Sequence, residues 1–152
     1  MASQPRSERG LLLPGVSFAR GVFTVAGVYG VLVLVPQYFT EDRVGRDFPP
    51  PITHPEHYYG FIGVALAWQV LFLIMARDPV RYRIAMIPAT LEKVAFGVAT
   101  AVLYLQGRLS PIILVGGVLD LIFAFLFVLS FRATAEQRKP GRVQAEESVH
   151  GA

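Results

Sequence analysis

Four apolar runs, about Phe18 to Phe39, Tyr58 to Ala76, Ile84 to Leu105 and Leu109 to Phe131, set the limits on what this chain can become. Each is about 19 to 23 residues long, and a hydrocarbon core of ~30 Å is crossed by about 20 helical residues rising ~1.5 Å each. Strands cross in about 10 residues and alternate polar with apolar positions, whereas these runs are apolar on every side. The expected fold is all-α: a polytopic membrane protein built as an antiparallel bundle of four transmembrane helices. In a chain of 152 residues, four spans leave no room for a soluble catalytic domain.

What lies between the runs is mostly topology. Residues 16–134 are expected to form the transmembrane domain, with 1–15 a mobile arm and 135–152 a mobile tail. Lys and Arg gather on one side, as Arg6, Arg9 and Arg20 before the first span, Arg77, Arg81 and Arg83 between the second and third, and Arg132, Arg138, Lys139 and Arg142 after the fourth. The other side has Arg43, Arg46 and Arg108. Positive residues stay cytoplasmic, so both termini are expected there. The basic sequence pI of about 9.5 therefore reflects orientation, and no nucleic-acid face is expected. No small-residue cleavage pattern follows the first run, which ends Val35-Pro36-Gln37-Tyr38, so this span should be retained. The absence of cysteine rules out disulfides, thiolate zinc, Cys-ligated iron-sulfur clusters and thioether haem. A metal would need His and carboxylate ligands, and no cofactor is expected.

Within the spans three charges stand out. Glu92 and Lys93 are adjacent in the third run and Asp120 lies near the middle of the fourth. Charge at bilayer depth costs at least about 2.5 to 3.5 kcal/mol per group, so such residues are usually paired, cavity-facing or functional. From the arm-and-tail side, Lys93 lies ~13 Å deep, Asp120 ~16 Å and Gln69 on the second span ~10 Å, at ~1.5 Å per residue. The three-residue turn Gln106-Gly107-Arg108 makes the third and fourth helices antiparallel neighbours. Lys93 and Asp120 are thus expected to pair, with Glu92 and Gln69 as further members of a polar cluster able to line a substrate site. Two alternatives stay open: Lys93 snorkelling to the interface, and Glu92 pairing with Arg81 or Arg83. Helical spacing puts Thr90, Gly97, Thr100 and Tyr104 on the Lys93 face, and Gly116, Gly117 and Ala124 near Asp120. Ala26 with Gly30 and Gly63 with Ala67 have the small-xxx-small spacing that lets membrane helices approach closely.

Two features lie outside the spans. The connection from Thr40 to His57 contains Pro49-Pro50-Pro51 and is expected to run stiff and extended across the bundle mouth. Its end, His54-Pro55-Glu56-His57-Tyr58-Tyr59, offers weak metal candidates in His54 and His57. Glu56 and His57, with Glu92, are the weak candidates for acid–base catalysis. Against a shared site, His54 precedes Pro55 in extended chain, off the helix face of His57. Helix initiation by Pro55, a Glu56 charge at the positive helix end and an aromatic belt at Tyr58 and Tyr59 account for most of the motif.

The segments Pro55-Glu56-His57-Tyr58-Tyr59-Gly60-Phe61, Ala76-Arg77-Asp78-Pro79-Val80-Arg81-Tyr82 and Leu91-Glu92-Lys93-Val94-Ala95-Phe96-Gly97 resemble a group of small, uncharacterised bacterial four-span inner-membrane proteins. The likeness covers about Pro51 to Arg108 and implies a bacterial inner-membrane location without an activity. The span count is also similar to the DoxX-like and sterol-isomerase-like families, in architecture only. Three functions fit: a structural or accessory protein whose charges serve packing or a partner helix, a binder or carrier of a lipid, quinone or other hydrophobic molecule, and a small membrane enzyme.

Overall fold

The computed structural model describes residues 14–135. Helix α1 spans Pro14–Leu34 and continues as a 3-10 turn over Val35–Phe39. A short α2, Glu41–Asp47, precedes α3, Pro55–Arg77. After a 3-10 turn at Arg83–Ala85 come α4, Met86–Leu105, and α5, Pro111–Ala133. Proline opens α1, α3 and α5, where its fixed φ suits the helix and its missing N–H would have no intrahelical partner. Pro88 sits in the first turn of α4 and is tolerated for the same reason.

The long helices run up, down, up and down. Gly15 lies against Ala133, so the two described ends share a face, called here the terminal face. Arg20 Nη2 donates to the Arg77 carbonyl at 3.2 Å and Arg83 Nε to the Phe131 carbonyl at 3.0 Å on that face. The α2 connection and the α4–α5 turn occupy the opposite, loop face. Around the bundle α1 packs on α3 and α5, and α4 packs on α5. The α3–α4 seam is looser, bridged by Phe61 stacked on Phe96 with ring centroids 6.3 Å apart.

The core of the terminal half is aromatic. Phe23 stacks on Phe127 at 4.3 Å, and Phe72 meets Phe127 edge-on at 5.1 Å, with Met75, Met86 and Ala89 filling around them. The loop half holds the smaller cluster Leu34, Ile62 and Ala65, lined by Tyr38, Tyr58 and Tyr59. Polarity is arranged inside out. Val25, Leu32, Val64, Val70, Leu91, Ile112 and Phe125 face outward, while Gln69, Lys93, Thr100 and Asp120 are buried. In water, apolar flanks this continuous would drive association; hydrocarbon is their natural solvent. The four long helices are each long and apolar enough to cross a membrane, and the protein is an all-α four-span bundle.

Two expectations change. The first helix begins at Pro14, so residues 14 and 15 belong to the bundle and not to an arm; 1–13 and 136–152, with Arg6, Arg9 and the basic tail, lie outside the described residues. The 40–57 connection is not extended throughout, because its first half folds as α2. Glu41 and Asp42 at its start and Arg46 in its last turn complement the helix dipole, and Arg43 pairs with Asp47 at 3.3 Å, one turn apart.

Candidate functional site: an intramembrane charge cluster

The buried residues of α4 are Met86, Ala89, Lys93, Gly97 and Thr100, a spacing of three and four that defines one helix face. Those of α5 are Gly117, Asp120, Ala124, Phe127 and Ser130. The two faces meet along the α4–α5 seam. A Cβ on Gly97 would lie 2.9 Å from the Gly117 carbonyl oxygen, and one on Gly117 would strike the Thr100 hydroxyl. Glycine at both positions lets the backbones close enough for short side chains to reach across.

One turn from each glycine, Lys93 Nζ lies 3.1 Å from Asp120 Oδ1. It also lies 3.4 Å from Glu92 Oε2 and 5.5 Å from the Phe72 ring centroid on α3, within the range of a cation–π contact. The Lys93 and Asp120 side chains retain 8% and 12% of their exposure. The expected pair therefore forms, and Lys93 is held inside the bundle instead of snorkelling. Glu92 contributes charge: its buried Oε2 makes the ion pair with Lys93 and, among the described residues, no further hydrogen bond. Its next residue on the same face, Phe96, is the one that stacks on α3, which sets Glu92 toward the looser seam.

Gln69 does not join this cluster. Its Nε2 donates to the Ala65 carbonyl at 3.0 Å, and its side chain fills the space beside Gly30 of α1, leaving Oε1 buried without a hydrogen-bond partner among the described residues. Equal depth put Gln69 with Lys93 in the sequence; its direction on α3 puts it on the other seam. Arg81 and Arg83 do not reach Glu92 either. Arg83 stacks over Phe131 at 3.5 Å and Arg81 lies 5.6 Å from the Tyr82 ring. Of the small-residue pairs, Ala26 and Gly30 are buried, whereas Ala67 is exposed. Tyr104, on the expected polar seam, is 40% exposed and so is not buried in it. Trp68 packs on Phe72 at 6.3 Å, a core contact.

The second constellation is closer than expected. His54 caps α3, and its carbonyl accepts from the N–H groups of His57 at 3.1 Å and Tyr58 at 3.3 Å. This folds its ring back to 5.6 Å from that of His57, and its Nδ1 lies 3.0 Å from Glu56 Oε1. Next door, Tyr59 donates to Glu41 Oε2 at 2.7 Å and Tyr58 to the Gln37 carbonyl at 2.9 Å, clamping α2 and the end of α1 onto α3. Glu56 and His57 start α3 on the loop face, while Glu92 lies near the terminal face, roughly 20 Å away along the bundle at ~1.5 Å per residue. The three acid–base candidates do not converge.

Sequence reasoning offered Arg83 only as a topology charge or a partner of Glu92 and missed its contact with Phe131. Phe131 is part of an apolar groove of about 330 Å³ between α4 and α5, formed with Met86, Ile87, Thr90, Leu91, Val94 and Val128. No sequence signal pairs residues 83 and 131; only the α4–α5 register does. Fold and site together define a four-span membrane bundle with a buried Lys–Asp pair and an attendant glutamate. No protein-family model, curated protein or solved structure matches the chain.

Proposed function

We propose that this is a structural or accessory protein of the bacterial inner membrane, multi-pass with both termini cytoplasmic, whose charged cluster fixes helix packing and offers one group to a partner. The observation that carries the reading is the Lys93–Asp120 pair itself: 3.1 Å long, interhelical and inside the seam. Neither the α4–α5 groove nor the recess of about 230 Å³ at Glu41 and Arg46 has a cluster residue in its lining. Glu92 supports the accessory part. One ammonium is shared by two carboxylates, with Glu92 the more distant at 3.4 Å and set toward the looser seam, where a donor from a neighbouring membrane helix would complete its hydrogen bonding. The bacterial location rests on the sequence resemblance and the orientation on the Lys and Arg distribution.

The test is complementation of a deletion strain. Lys93→Met with Asp120→Leu removes both charges together, and a variant that inserts, folds and complements fits a packing role. A folded double variant that fails to complement contradicts it. A second reading, lipid binding, draws on the α4–α5 groove: an acyl chain fits its apolar walls, and Arg83, stacked on the groove residue Phe131, suits the phosphate of an anionic phospholipid. Native mass spectrometry decides, with Arg83→Ala expected to strip an anionic lipid selectively; equal retention by the variant speaks against it.

A further inference from the structure

We propose that His54, Glu56 and His57 bind one late first-row divalent cation, with zinc as the reference ion, at the start of α3 on the loop face. One ligand atom from each residue lies within 4.8 Å of the others. Tetrahedral zinc, with bonds of about 2.0 to 2.2 Å, holds its ligand atoms about 3.3 Å apart. The His54 Nδ1 to Glu56 Oε1 separation of 3.0 Å is already near that value. Closing the remaining gap takes only side-chain rotation, and all three residues are exposed, so no packing is lost.

The backbone beneath the site is fixed. Pro55 occupies the first helical position, and the His54 carbonyl is tied by the His57 and Tyr58 N–H groups, so three ligands project from one hydrogen-bonded turn. Little backbone ordering is left to oppose binding. Two imidazoles and one carboxylate suit zinc, copper or nickel and are a poor set for calcium or magnesium, which take oxygen ligands. Glu56 offsets the positive end of the α3 dipole, which otherwise opposes a cation there. Three protein ligands leave a fourth position open to solvent, so the ion is set to take water or an outside donor.

Full-length, untagged protein in detergent, cleared of metal with a chelator and carrying His150→Ala to remove the tail imidazole, is titrated with zinc by calorimetry at pH 7.5. One saturating equivalent is expected. His54→Ala and His57→Ala each weaken it by about tenfold or more, and excess magnesium does not compete. Circular dichroism confirms that the variants stay helical. Absence of saturable binding below about 1 mM, or unchanged binding in the His54→Ala/His57→Ala double variant, overturns the site.

Discussion

Beside Gly30 of α1 lies the amide of Gln69; one turn from Gly97 of α4 and Gly117 of α5 lies the Lys93–Asp120 pair. Both seams use glycine to admit a buried polar side chain, yet the two groups depend on their partners differently. Gln69 donates to Ala65 on its own helix and would keep that bond if α1 moved away. Lys93 finds its closest countercharge on another helix. The α1–α3 seam is therefore held by shape and by its phenylalanines, and the α4–α5 seam carries a contact that one register alone satisfies. A buried polar group specifies packing only when its partner lies across the interface.

Single neutralisation should separate the seams most sharply. Lys93→Met or Asp120→Ala leaves an unpaired buried ion and is expected to destabilise the bundle by about 3 to 5 kcal/mol, read from unfolding in mixed micelles. Gly97→Ala comes next, at about 1 to 3 kcal/mol, because the added Cβ meets the Gly117 backbone and forces the helices apart. Gly30→Ala should cost a similar amount, since its Cβ would meet the fully buried Gln69 side chain from Oε1 back to Cγ. Gln69→Leu is expected to change stability by less than about 1 kcal/mol; a loss as large as that of Lys93→Met would erase the contrast. Glu92→Gln should cost less than Lys93→Met because Asp120 still faces Lys93 at 3.1 Å, with its main consequence seen in partner capture by crosslinking.

Much of this arrangement is legible in the sequence because helical geometry is local. The four spans follow from run length, and residues 93, 97 and 100 or 117, 120 and 124 share a face by the 3.6-residue period alone. The short turn after Leu105 forces α4 against α5, so the Lys93–Asp120 pair follows from depth. Gln69 was misplaced because depth does not give direction: whether it meets α1 or α4 depends on the order of helices around the bundle. The α2 connection read as extended because its prolines, all in the second half, outweighed the well-placed charges from Glu41 to Asp47. His54 read as remote from His57 because a residue before proline favours extended backbone. Its observed φ of −127° and ψ of 74° still allow its carbonyl to close the first turn of α3.

The central claim, that Lys93 and Asp120 act as one interhelical unit, is tested most directly by a double-mutant cycle on folding stability in a bilayer or bicelle. Lys93→Met, Asp120→Leu and their combination are compared with the parent protein. The account predicts that the double variant recovers most of the loss caused by either single change, so that the coupling energy is larger than either single loss. Losses that simply add would show that the two charges are held independently and that the pair does not set the register of α4 on α5.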